Sequence, residues 1–438
     1  MVSPLDSVFA SSTFTDKEIA ELFSDTAEIN ALVQFEQELA RVQESLGIIP
    51  EGTGHDIFTA LDSVTIDPKD LAQGYLNDGI PIPALLNILR EKLEPKAANY
   101  LHYGATSQDA LDTGLILRIK PATKIIQKNL SALTLELCKL AESHIDTVMI
   151  ARTRNQNASP TVFALKVVNW LAPLQRQQER LTELIPRLLV LQLGGAVGTN
   201  AALGKKGTEV SNALSKALDL TPPESPWHAQ RDSIVEFANW LSLTAGQIGK
   251  IAQDMLLMAQ SEVGEISFSS SGKSSTMPNK ANPVLPETLL SLAHFCRNQA
   301  ALIEQTLIAS HERDGVSMSV ERLALAPLIC AATGSIIHAS HCLSNMTINK
   351  QVIHDNIIAD RGLIMAEAAV FKLITKMKRS EAAGLVSQAC ALSMTSKKHM
   401  IDELRELCKI DLDWDALKLP ENYLGNAIET INKVLQKK

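Results

Sequence analysis

Aromatic residues make up only 4% of this 438-residue chain, and glycine and proline together number 39 (21 + 18). Strands draw on aromatic side chains and tight turns on glycine and proline, so both shortages count against a β-rich fold. The six cysteines (Cys138, Cys296, Cys330, Cys342, Cys390 and Cys408) are scattered, and no two have Cys-x-x-Cys spacing. That excludes a sequence-local zinc or redox motif and points to free, mostly buried thiols in a reducing, cytoplasmic compartment. The ten histidines form neither His-x-x-x-His nor His-Glu-x-x-His, so no metal is expected. Positive charge is also short: 41 Lys and Arg against 49 Asp and Glu leave a net charge of −8, which argues against nucleic acid or an anionic membrane as partner. No apolar run is expected to reach the ~18 residues that span a bilayer. The start Met1-Val2-Ser3-Pro4-Leu5-Asp6 has neither the basic flank nor the apolar run of a signal peptide. An acidic chain can still bind an anionic substrate if its cations are gathered locally.

What the sequence does have is helical periodicity. From Glu21 to Leu46, apolar residues recur at Leu22, Ile29, Leu32, Val33, Leu39, Val42 and Leu46, before Gly47 and Pro50 stop the run. Further helical patterns cover about 120–146, 160–193, 230–263, 286–312 and 324–343. Pro173 and Pro186 are expected to kink or interrupt the second of these. Runs of this length exceed the usual globular helix of about 11 residues and imply a long bundle. The expected architecture is all-α, in three parts: an N-terminal helical domain over 1–110, a central long-helix bundle over 111–355 and a small helical domain over 356–438.

Polar motifs break these helices. Ser269 to Val284 packs serines, a threonine, Gly272, two prolines, Lys273 and Lys280 into one loop. Its hydroxyls, amides and ammonium groups suit carboxylates and enolate-like oxyanions. A second motif, His102-Tyr103-Gly104-Ala105-Thr106-Ser107-Gln108-Asp109, offers a tight turn, then hydroxyls that can cap a helix beginning near Asp109. A third, Arg152-Thr153-Arg154-Asn155-Gln156-Asn157, reads as a polar turn whose arginines can grip carboxylates bidentately. A fourth gathers Trp227, His228, Gln230 and Arg231 at a helix start. A fifth, His311-Glu312-Arg313-Asp314, follows a long helix. Each taken alone also reads as an ordinary cap, core aromatic or solvated charge cluster.

Taken together, Gly104 to Asp109, the stretch Arg152, Thr153, Gln156, Ala158, Pro160 and Phe163, and the loop Ser274 to Asn282 resemble the three signature regions of the fumarase/aspartase superfamily, in the same order. Leu22-Phe23-Ser24-Asp25, Leu46-Gly47-Ile48-Ile49-Pro50 and Pro226-Trp227-His228 make the chain look most similar to that superfamily's 3-carboxy-cis,cis-muconate cycloisomerases. The resemblance implies an all-α homotetramer, active sites assembled from three subunits, no cofactor, and a small tricarboxylate as substrate. It assigns Ser274, Lys280 and His102 to catalysis. It assigns substrate binding to Thr106, Ser107, Gln108, Arg152, Arg154, Gln156, His228, Arg231, Met277, Asn282 and Arg313.

Three departures from the superfamily pattern bear on the reaction. Lyases that cleave C–N bonds commonly carry histidine where this chain has Arg154, and many relatives carry histidine where it has Asn279. Lys273 replaces the usual glycine before the serine pair. The missing histidine favours cycloisomerisation, in which the nucleophile is a carboxylate already ionised at neutral pH. Adenylosuccinate lyase, or another C–N lyase of the superfamily, is the first alternative, and a non-catalytic helical tetramer the second.

Overall fold

The computed structural model describes residues 3–269, 272–273, 276–277 and 279–436. The fold is all-α, with short strand pairs between long helices. The helix Asp25–Ser45 begins on Ser24, whose hydroxyl accepts from the Ala27 N–H, and carries Asp25 and Glu28 in its first turn, where acids favour the helix dipole. It stops at Gly47, which turns left-handed at φ 62°.

The helix Ser107–Ser143 has 37 residues; it starts about a dozen residues before the apolar periodicity showed it, and close to the Asp109 start that the Thr106-Ser107-Gln108 motif implied. The helix Phe163–Leu188 runs through both Pro173 and Pro186 without interruption. Proline removes one backbone hydrogen bond, but Val167, Leu171, Leu174, Leu181 and Leu184 are all buried on this helix, and tertiary packing of that stripe carries it past the prolines. Long helices follow at Asp232–Met258, Val284–Glu304 and Gly315–Ser344.

The last of these corrects one expectation. It contains an 18-residue window of mean hydropathy 1.6, long and apolar enough to cross a bilayer. Of that window 72% is buried inside the protein, so the apolar run is accounted for as core. Its buried Thr333 and Ser335 hydroxyls donate to the carbonyls of Ile329 and Ala332.

The region read as a polar turn is an antiparallel hairpin, Val148–Thr153 paired with Gln156–Val162. Its two-residue tip is Arg154-Asn155, at φ 51° and 63°. Positive φ at both tip residues matches the twist of the flanking strands. Ile266–Phe268 pairs with Met346–Ile348, and Gly272–Lys273 with Ala281–Asn282.

The chain gathers into two compact units. The first comprises Met1–Ser131, Gln177–Gly246 and Ser291–Ile337; the second comprises Ala132–Arg176, Gln247–Leu290 and His338–Lys438. In the first, the helix Asp25–Ser45 packs on Thr53–Leu61 and Gly207–Leu218. In the second, the C-terminal helices enclose a core of Ile364, Leu373, Ala389, Ile401, Leu404 and Trp414, which Ile150 of the hairpin joins.

Candidate active site

In the first unit, a polar cluster forms around the N-terminus of the helix Ser107–Ser143. Asp109, in its first turn, is fully buried. Its carboxylate accepts from the backbone N–H groups of Thr106 (2.9 Å), Gly194 (2.8 Å) and Gly195 (3.0 Å), from His228 Nε2 (2.7 Å) and from Gln192 Nε2 (3.4 Å). A buried carboxylate tolerates the loss of water only when donors replace it, and here they do. Asp109 thereby pins the Gly194-Gly195 turn and His228 to the helix start. Gly194 must lack a side chain, because a Cβ there would lie 2.9 Å from His228 Cε1.

Arg313 reaches the same helix end. Its Nη1 donates to Thr106 Oγ1 at 2.7 Å and its Nε to Gln108 Oε1 at 3.3 Å. Gln108 in turn donates to the His228 carbonyl (2.8 Å) and to Asp112 (3.2 Å). Ser107 is half-buried beside them. A guanidinium, hydroxyls and the positive end of a long helix dipole give this corner groups chemically suited to a carboxylate.

His102 sits one turn earlier, in a left-handed backbone conformation at φ 63°. Its Nδ1 lies 2.6 Å from Glu36 Oε1. Burial alone would hold the ring neutral, but the carboxylates of Glu36 and Asp109 outweigh it and raise the pKa above the ordinary histidine value.

Arg231, expected to bind substrate, has a different place. It is 4% exposed. Its Nη1 donates to Asp112 at 3.1 Å, and its Nε and Nη2 donate to Glu321 at 3.0, 2.6 and 2.8 Å. The guanidinium also stacks 4.8 Å over the Trp227 ring. Its hydrogen-bonding edge is taken up inside the protein, so Arg231 supports the helix start from behind. His228 is likewise 4% exposed and bound to Asp109, which makes it an orienting group in the described structure.

The second unit holds the other residues expected at the site. Arg152 pairs with Glu265 at 2.8 Å, and Glu265 is 1% exposed, so this contact ties the hairpin to the segment leading into the signature loop. Arg154 and Gln156 are exposed at the hairpin tip, and Gln156 Nε2 donates to the Asn155 carbonyl at 3.1 Å. Met277 and Lys280 are exposed, and the Lys280 N–H donates to the Met277 carbonyl at 3.1 Å. Asn282 is half-buried opposite Gly272. Ser274 lies outside the described residues.

Glu36, Asp112, Glu265 and Glu321 had no role assigned from the sequence. One signal for Glu36 was available: it stands among Leu32, Phe35 and Leu39 on the buried side of its helix, where an acid requires a partner.

Comparison with known proteins gives the family of the chain. A model of the lyase family matches residues 10–296. The 3-carboxy-cis,cis-muconate cycloisomerase of Pseudomonas aeruginosa is 35% identical over 425 residues, covering 94% of this chain and 93% of that protein. Trans-aconitate decarboxylase 1 of Mycosarcoma maydis is 31% identical over 435 residues, covering 98% and 88%. The crystal structure of 3-carboxy-cis,cis-muconate lactonizing enzyme from Pseudomonas putida superposes with a TM-score of 0.93 at 33% identity, covering 98% of this chain and 99% of that one. The chain belongs to the lyase family of the fumarase/aspartase superfamily. It is an enzyme of that family, and among its relatives are cycloisomerases that span almost its whole length.

Proposed function

We propose that this enzyme lactonises 3-carboxy-cis,cis-muconate to 4-carboxymuconolactone, a step of protocatechuate catabolism by the β-ketoadipate pathway. The relatives' names support an unsaturated tricarboxylate as the substrate class, since carboxymuconate and trans-aconitate both have that chemistry. The helix-end corner of Thr106, Ser107, Gln108 and Arg313 takes one carboxylate, and Arg154, Lys280 and Asn282 hold the others. One substrate carboxylate adds to the conjugated double bond, forming the ring C–O bond. The displaced electron pair settles on a second carboxylate as an aci-carboxylate, and the adjacent carbon then takes a proton, which we assign to Ser274. A trianion becomes a dianion, so one proton is consumed per turnover.

The observation that carries this reading over an amine-expelling lyase is Arg154. A departing amine needs a proton at nitrogen, and a guanidinium holds its protons too tightly to supply one. A carboxylate nucleophile has a pKa near ~4 and needs no base at neutral pH.

Purified protein is expected to bleach the diene absorbance of 3-carboxy-cis,cis-muconate while a pH-stat records one proton taken up per molecule. An unchanged spectrum overturns the assignment. Ser274→Ala is expected to slow turnover by about 10²–10⁴-fold, the usual worth of a positioned acid. A variant that works at near the parent rate removes Ser274 from that role.

A further inference from the structure

The helix Asp25–Ser45 turns Leu32, Phe35, Leu39 and Val42 inward. Two polar side chains share that buried face, Glu36 at 1% exposure and Gln43 at 0%. Their spacing of seven residues puts them on one side of the helix, two turns apart. Both reach the same short segment: Glu36 Oε1 meets His102 Nδ1 at 2.6 Å, and Gln43 Nε2 donates to the Tyr103 carbonyl at 2.6 Å. That segment is held in a conformation that side chains rarely adopt, with His102 at φ 63° and Gly104 at φ 76°.

Glu36 Oε2 is buried and has no hydrogen-bond partner among the described residues. A carboxylate so stripped of water needs a counter-charge, and the one it meets is His102. A hydrogen bond at 2.6 Å in which the carboxylate accepts puts the proton on His102 Nδ1. Among the described residues, Nε2 of the same ring makes no hydrogen bond. The other charged groups acting on the ring are Asp109, which favours its protonation, and Arg90, which opposes it.

We propose that Glu36 is a positioning residue that fixes His102 as an imidazolium whose Nε2–H donates to a carboxylate of the bound substrate. Glu36 touches no substrate itself; it sets the tautomer, the orientation and the charge of the ring that does. The identity of the carboxylate rests on the lactonisation proposed above, whereas the protonation state of the pair does not.

The experiment uses the full chain with 15N-labelled histidine, and His102→Asn assigns the resonance. In the parent protein His102 is expected to carry protons on both nitrogens at pH 6.5 and to titrate above that value. In Glu36→Gln burial prevails and the midpoint is expected to fall below 6.5. A parent ring already neutral at pH 6, or an unchanged midpoint in Glu36→Gln, overturns the proposal. If Glu36→Gln does not fold, the parent titration decides alone. With carboxymuconate, Glu36→Gln is expected to raise KM about tenfold or more, the worth of one charge-assisted hydrogen bond, and to change kcat less. The parent KM is expected to climb as pH passes the His102 midpoint. A fall in kcat at constant KM overturns the donor role. Should carboxymuconate not react at all, the lactonisation reading fails while the titration still decides the state of the pair.

Discussion

Arg231 faces two buried carboxylates with one positive charge. Asp112 and Glu321 are both withdrawn from water, and burial pushes both above the usual carboxylate range even though the guanidinium opposes the shift. Arg231 itself is held protonated by the pair. Removing the cation leaves two acids in the interior with nothing to balance them. Arg231→Met is therefore expected to destabilise the protein by about 3–5 kcal/mol, the usual cost of orphaning a buried charge. Arg231→Lys is expected to recover only part of this, because an ammonium cannot span both carboxylates with a fork. Urea midpoints of the parent and both variants check it, and a loss below about 1 kcal/mol for Arg231→Met refutes it. Sequence alone did not assign this role, since Arg231 stands 119 residues from Asp112 and 90 from Glu321 and nothing local marks either as its partner. The Thr106-Ser107-Gln108 motif was legible because its chemistry is local: hydroxyls and a side-chain amide at the start of a helix.

At the scale of elements, Gly104 sets how the chain enters the helix Ser107–Ser143. It turns left-handed at φ 76°, and a Cβ there would lie 2.6 Å from a methyl of Leu203. Gly104→Ala combines a left-handed alanine, costing roughly 1–2 kcal/mol, with crowding against a buried leucine. The expected result is a lower urea midpoint together with a raised KM, because the same turn carries His102 and Thr106. A variant with parent stability and parent KM contradicts this account. The long helices were readable from apolar spacing, and the misreadings have physical causes. The hairpin Val148–Val162 escaped notice because a register shift at Ala151/Arg152 breaks its alternation, its tip Arg154-Asn155 contains no glycine, and its second strand is rich in Gln, Asn and Ser. Pro173 and Pro186 read as kinks or interruptions, and no interruption occurs, because periodicity cannot show how firmly a helix is packed. The apolar length of Gly315–Ser344 was hidden by small residues that look unremarkable one at a time.

At the scale of the whole molecule, four of the long helices leave large leucines in water on a single subunit. Leu135 is 51% exposed, Leu243 51%, Leu257 40%, Leu302 47% and Leu323 76%. Single exposed leucines are ordinary, but repeated ones on the longest helices favour a partner surface. We propose copies of the same chain as that partner, in the homotetramer that the superfamily resemblance implies. Light scattering after gel filtration is expected to give four times the 47.6 kDa of one chain. Leu323→Glu, which places a charge on the most exposed of these positions, is expected to shift the protein toward smaller species. The same assembly predicts the behaviour of mixtures. Arg313→Ala and Lys280→Ala each remove a cation from a different unit of the chain, and each alone is expected to lose turnover. If one active site draws these residues from different subunits, refolding the two variants together yields some sites that carry both cations. Activity above that of either variant refolded alone is then expected. A monomeric mass, or mixtures no more active than their components, means that each chain builds its site alone and that the exposed leucines serve another purpose.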